Sequence, residues 1–246
     1  MEIKDFKYIE LEKKGKICIL KLNRPDKKNA LSELLRSEII EALDILKEEK
    51  RIRTVIFYGG EQFFCAGFDK NEVQGLLQNT DNIQHFIEST LHFHKKLFEF
   101  PKLKIAAING FALGGGFDLA VLCHLRIASN NAEFGHPEIG FGACPLFFVY
   151  MGLVGRGKAI ELTLNTVTKD NFINAQEAYR LNIINKLVSS GEVLNEAIKL
   201  ARKINKSPDF VIDTLLQVSN SFFDQTKAYE TELKIIEESM KPLLNK

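Results

Sequence analysis

Two carboxylic acids flank a glycine-rich turn in this sequence. Asp118 ends the run Ile108-Asn109-Gly110-Phe111-Ala112-Leu113-Gly114-Gly115-Gly116-Phe117-Asp118, and Glu138 follows in Phe134-Gly135-His136-Pro137-Glu138. A pair of carboxyls can take one proton and give another, which is what acid/base chemistry at a carbon centre requires. The glycines let backbone approach a ligand closely. The apolar stretch Leu103 to Ile108 before them has the character of a buried strand, and Phe117 to Leu122 resumes helical spacing. Amides at the start of such a helix face a ligand oxygen. A second loop of small residues, Cys65-Ala66-Gly67-Phe68, supplies another N–H across a cleft, and two amides aimed at one oxygen form an oxyanion hole.

Other chemistries fit less well. Gly110 and Gly115 match the glycines of a phosphate-binding P-loop, but Gly116 and Phe117 stand where Lys and Ser or Thr are required. The glycine triplet lacks the dinucleotide-binding spacing, and the chain contains no GxSxG nucleophile elbow. His85 and His92 would stand about 10 Å apart along a helix and His92 and His94 diverge, so no metal site is expected. His94 is read as a surface or core residue, with approach to the candidate site as the alternative, His136 as a group able to tune Glu138, and His124 as structural. Cys65 has no neighbouring base to make it a thiolate and is assigned to packing.

The elements that must position these residues follow from periodicity. Tyr8 to Glu12 and Ile17 to Leu22 flank Lys13-Lys14-Gly15-Lys16 as a hairpin. Leu34, Leu35, Ile39, Leu43 and Leu46 recur at helical spacing behind Ser32 as N-cap, leading into a strand at Thr54 to Tyr58. A helix over 82–100 stops at Pro101, and three helices occupy the C-terminal fifth, the last over 226–240. Alternating strands and helices predict an α/β, or mixed α+β, core with chemistry on loops at strand ends.

Composition sets the outer bounds. A chain of 246 residues, 45% hydrophobic and 26% charged, is long enough for one substantial core. Its 33 basic and 32 acidic residues give a net charge of +1, so no global field favours nucleic acid or an anionic membrane. Cys18, Cys65, Cys123 and Cys144 show no CxxC pairing or disulfide framework, and no signal peptide is evident, so a cytoplasmic location is expected. The apolar runs are too short or interrupted to cross a bilayer.

With these residues in view, the chain resembles the enoyl-CoA hydratase/isomerase family, the crotonase superfamily. The likeness spans nearly the whole length. It is carried by Asn23-Arg24-Pro25 with Lys28-Asn29-Ala30-Leu31, by Phe64-Cys65-Ala66-Gly67-Phe68-Asp69, by Ile105 to Asp118, by Cys123 to Ser129 and by Phe134 to Ile139. The resemblance implies a crotonase-like ββα spiral over 1–190 that binds acyl-CoA. It implies a C-terminal helical region over 191–246 for packing and trimerisation, and assembly as a homotrimer or homohexamer. It also implies an acyl-CoA or enoyl-CoA thioester as partner. No separate cofactor is implied, since coenzyme A arrives as part of the substrate.

Residue by residue, the resemblance assigns the oxyanion hole to the amides of Phe68 and Gly115. It places Asp118 and Glu138 at the two acid/base positions, Asp118 activating water for attack at Cβ and Glu138 delivering a proton to Cα. Arg24, Lys28, Ala30, Ala66, Gly114 and Leu146 are the expected substrate-binding positions. Two departures stand out. Asp118 occupies a position where hydratases usually have Glu, and its carboxylate reaches roughly 1–1.5 Å less far. Leu146, Phe147 and Phe148 stand where many members place glycines. The implied activity is syn hydration of a 2-enoyl-CoA. Double-bond migration, other crotonase-type reactions such as hydrolysis or decarboxylation, and a catalytically impaired acyl-CoA-binding subunit are the alternatives.

Overall fold

The structure, a computed structural model, describes residues 5–76, 80–141 and 143–221, and beyond them 227, 230–232, 234, 235 and 238. The expected hairpin is present as β1 (Ile9–Lys14) and β2 (Ile17–Leu22), paired antiparallel around Gly15. Helix α1 (Glu33–Glu48) starts at Ser32, whose side chain accepts from Leu35 N as the sequence predicts. Its Leu35, Ile39, Leu43 and Leu46 are buried, each worth about 1.5–3 kcal/mol of apolar burial. Strand β3 (Thr54–Tyr58) follows, then α2 (Lys70–Leu76) and α3 (Thr80–Glu99), which ends just before Pro101 as expected.

Next come β4 (Leu103–Ile108), β5 (Phe111–Leu113), α4 (Gly115–Val121), β6 (Leu125–Ser129) and β7 (Glu133–Gly135). The chain continues through α5 (Phe148–Val154), α6 (Arg156–Asn165), β8 (Ile173–Asn174), α7 (Ala175–Arg180) and β9 (Lys186–Val188). It then forms α8 (Val193–Ile204) and α9 (Asp209–Ser221). The helix expected over 226–240 lies largely outside the described residues.

The larger sheet has the order β1-β2-β3-β4-β6-β9, and every pairing after the hairpin is parallel. Alternate residues of its strands serve different cores. Cys18, Leu20, Val55, Phe57, Ala106 and Ile108 pack with α1 and with Phe93 and Leu97 of α3. Ile17, Ile19, Ile56, Tyr58, Ile105 and Ala107 meet Val193, Ala197 and Ala201 of α8. A parallel sheet covered on both faces explains why these strands read as continuous apolar runs.

A second, shorter stack runs alongside. Leu31 bridges Phe68, Cys65 bridges Ala112, and β5 pairs with β7. After leaving β2, β3, β4 and β6, the chain thus places a short segment in this stack and then, after the first three, enters a helix. The mixed α/β expectation holds, with a repeated strand, short strand and helix as its unit. The short stack brings the 65–69 loop beside the glycine triplet.

Candidate active site

Each glycine of the triplet faces a different partner at a distance that excludes a side chain. A Cβ on Gly114 would lie 2.8 Å from Glu138 Oε2, one on Gly115 would lie 2.6 Å from the Phe68 ring, and one on Gly116 would lie 2.5 Å from Cys65 O. The triplet is therefore the place where the 65–68 loop, the start of α4 and the Glu138 turn converge. Gly67 is the counterpart in the other loop: its φ is +94, and a Cβ there would meet Leu113 O at 2.7 Å and Gly115 N at 3.5 Å.

The amides of Phe68 and Gly115 lie on these facing segments. Gly67 O accepts from Leu31 N and Asp69 N donates to Leu31 O. The bridge to Leu31 thus uses Gly67 O and Asp69 N and leaves the Phe68 N–H outside it. Among the described residues neither amide has a backbone acceptor.

Asp118 lies in the first turn of α4 and is buried. Its Oδ1 has no hydrogen-bond partner, and its Oδ2 is 3.7 Å from His94 Nε2, itself buried and unpartnered. Burial, then the neighbouring Glu138 and Glu232 carboxylates, push the Asp118 pKa well above the usual carboxylate range, against a smaller opposite effect of the Leu146 amide. Burial, reinforced by Arg36, holds His94 down to about 3, so its ring is neutral at pH 7. His94, read from sequence as a surface or core residue, is buried in the core and adjoins the site.

Glu138 sits in a 3-10 turn, Pro137–Phe141, that begins at the proline. Its Oε1 is 3.0 Å from His136 Nδ1, whereas Oε2 is buried without a partner beside Gly114. Phe117 packs on the His136 ring at 5.0 Å and fixes its plane. Two carboxyls thus each present a buried, unpartnered oxygen, and buried polar oxygens are normally satisfied. Such a site suits a ligand or water that brings its own donors.

The expected substrate-binding residues separate into groups. Ala66 N donates to Lys28 O at 3.1 Å, and Lys28 is exposed with its Nζ 5.9 Å from the Phe111 ring. Ala30 is buried beside them and Leu146 lies at the Asp118 end. Arg24 is committed elsewhere: its Nη1 pairs with Asp69 Oδ2 at 2.5 Å and donates to Ala30 O at 2.9 Å, and its guanidinium lies over Tyr8. That ion pair braces the loop carrying Phe68. Cys65 stays a thiol, because burial pushes it up to about 12.

Sequence reasoning missed Glu232, which accepts from the amides of Phe147 and Phe148. It also missed Arg36, buried between Phe68 and Phe86 and paired with Glu72. Neither carries a motif, and only their tertiary neighbours reveal them. An open cavity of about 530 Å³, lined by Lys14, Gly15, Lys16, Ile17, Arg202 and Asn205, shares no residue with this cluster. Its Lys14 and Lys16 are paired with Glu12 and Asp209. Among the described residues no helix is long and apolar enough to cross a membrane.

Known proteins share this arrangement of sequence and fold. The family model for enoyl-CoA hydratase/isomerase matches residues 12–240. A short-chain-enoyl-CoA hydratase of Clostridium acetobutylicum is 36% identical over 230 residues, covering 90% of this chain and 86% of that protein. A crotonyl-CoA hydratase of Syntrophomonas wolfei is 36% identical over 203 residues, covering 81% of this chain and 76% of the relative. Among solved structures, an enoyl-CoA hydratase from Bacillus anthracis superposes with a TM-score of 0.82 at 28% identity, over 95% of this chain and 90% of that one. An enoyl-CoA hydratase/isomerase from Xanthobacter autotrophicus gives 0.84 at 25% identity, over 98% and 87%. The chain belongs to the enoyl-CoA hydratase/isomerase family and has its crotonase fold.

Proposed function

We propose that this protein hydrates 2-enoyl-CoA thioesters, adding water syn across the double bond. The observation that carries this reading is the pair of unpartnered carboxyl oxygens, Asp118 Oδ1 and Glu138 Oε2, beside the facing Phe68 and Gly115 segments. In this reading the thioester oxygen accepts from both amides, which stabilise the enolate that forms when water attacks Cβ. One such donor is worth about 3–4 kcal/mol in a transition state. Asp118 takes a proton from the attacking water, and Glu138 gives one to Cα as the enolate collapses. A raised pKa makes Asp118 a stronger base once ionised.

Lys28, Ala30, Ala66 and Gly114 border the CoA-ester path in this reading, and Leu146 closes its acyl end. Arg24 acts through the Asp69 pair to hold the loop. A cytoplasmic homotrimer or homohexamer completes the proposal. Leu164, Phe210 and Leu215, which α6 and α9 leave 64%, 71% and 63% exposed, provide apolar surface for assembly.

The test is turnover of crotonyl-CoA and longer 2-enoyl-CoA esters, read by mass spectrometry for added water. Glu138→Gln is expected to lower kcat by at least about a hundredfold while CoA-ester affinity stays within a few-fold. Unchanged turnover in that variant overturns the assignment. Deuterium entering Cα from solvent without added water indicates double-bond migration instead.

A further inference from the structure

Successive amides after Pro145 meet two carboxylates from distant parts of the chain. The Leu146 amide acts on Asp118. The amides of Phe147 and Phe148 both donate to Glu232, with Phe148 N 3.1 Å from Oε1 and 3.0 Å from Oε2. Glu232 is half-buried and follows Phe148 by 84 residues. A carboxylate at the start of α5 is stabilised by the free amides there. This one in addition lies close enough to Asp118 to raise its pKa, an electrostatic cost that capping alone does not require.

We propose that Glu232 is a positioning residue of the active site, gripping Phe147 and Phe148 to fix the segment whose Leu146 amide meets Asp118 and setting the electrostatic environment in which Asp118 takes its proton. The inference rests on the hydratase reading of the site. The groups facing Asp118 are His94 from α3, Cys65 from the facing loop, Glu138 from the 3-10 turn, and Glu232. His94, held down to about 3, and Cys65, pushed up to about 12, are both neutral at pH 7. Outside the acid/base pair itself, Glu232 is therefore the charged group that acts on Asp118. Burial pushes Glu232 itself up to about 7, partly offset by the Phe148 and Phe147 amides, so its charge changes near neutral pH.

The experiment compares the full-length protein with Glu232→Gln and Glu232→Ala. Glutamine keeps an acceptor oxygen for the two amides and removes the charge. Removing a neighbouring negative charge makes Asp118 easier to ionise. The acid limb of kcat/KM against pH for crotonyl-CoA is therefore expected to move about one unit lower in Glu232→Gln. A carbon-13 NMR titration of the Asp118 carboxyl should move in the same direction. Glu232→Ala should in addition lower kcat about tenfold or more, with KM within threefold, because the 146–148 segment loses its anchor. An Asp118 midpoint and acid limb that stay within 0.2 unit (roughly the precision needed to resolve a neighbouring charge) in Glu232→Gln overturn the proposal. If the wild-type protein turns over no enoyl-CoA, the hydratase reading fails, and the Asp118 titration still decides the role of Glu232. Should Glu232→Ala not fold, the glutamine variant decides alone.

Discussion

Gly67→Ala tests whether the approach of two loops is what makes the site work. Gly67 has a φ of +94, a conformation that costs an alanine about 1–3 kcal/mol. Its new Cβ would also stand 2.7 Å from Leu113 O, a backbone atom that cannot rotate away. Restoring ordinary contact requires the 65–68 and 113–115 segments to part by about 0.7 Å. Those segments carry the Phe68 and Gly115 amides, and a misplacement of about 1 Å can cost a hundredfold in rate. The expected result is a fall in kcat/KM for crotonyl-CoA of about 10- to 100-fold. Gly60→Ala is the control: its φ is +104, but nothing lies within 4 Å of its Cβ, so it reports backbone strain alone. Both variants should lose about 1–3 kcal/mol in urea unfolding, and only Gly67→Ala should lose the rate. A Gly67→Ala protein that hydrates crotonyl-CoA as fast as Gly60→Ala would refute the reasoning.

Two further outcomes concern stability and assembly. Burial lowers the Lys104 pKa to about 8, and its Nζ donates to Leu97 O in the last turn of α3. From pH 8 upward the folded protein has released this proton while the unfolded chain retains it, so stability should rise with pH by about 1.4 kcal/mol per unit. That is the contribution of Lys104 alone: burial also raises the Cys18, Cys65 and Cys123 thiols from 9.0 to about 11, 12 and 12, and these act in the opposite direction over the same interval, so the lysine shows as a difference between the wild type and a variant without it. Between pH 8 and 9 the urea-unfolding free energy of Lys104→Met should fall by about 1 kcal/mol relative to the wild type, and parallel curves for the two proteins would contradict the assignment. Sedimentation should give a trimer or hexamer, and Phe210→Asp with Leu215→Asp should lower its mass. A monomeric wild-type protein at micromolar concentration would remove the assembly reading.

The limits of sequence reasoning here follow from which interactions are local. The hairpin, the Ser32 cap, β3, β4 and the end of α3 before Pro101 were legible because each depends on periodicity, a cap or a breaker within a few residues. The short stack was not, because Leu31, Cys65 and Phe111 to Leu113 extend for only one to three residues and gain their pairing from distant chain. Helices α5 and α6 fell in an apolar stretch with no capping side chain to mark their starts.

For the site, the glycine triplet and the two acids drew attention to Asp118 and Glu138, and the family resemblance assigned the Phe68 and Gly115 amides, before any geometry was known. Tertiary structure alone decided what surrounds each of them. Arg24 is bound to Asp69, His94 adjoins Asp118, His136 holds Glu138, and Glu232 meets the amides that follow Leu146. A side chain's pKa and orientation are set by groups within a few ångströms, and those groups lie 2 to 84 residues away in the chain. Motif and period fix which residue types recur and which backbone segments form, whereas desolvation and contact across the fold determine which of them can move a proton.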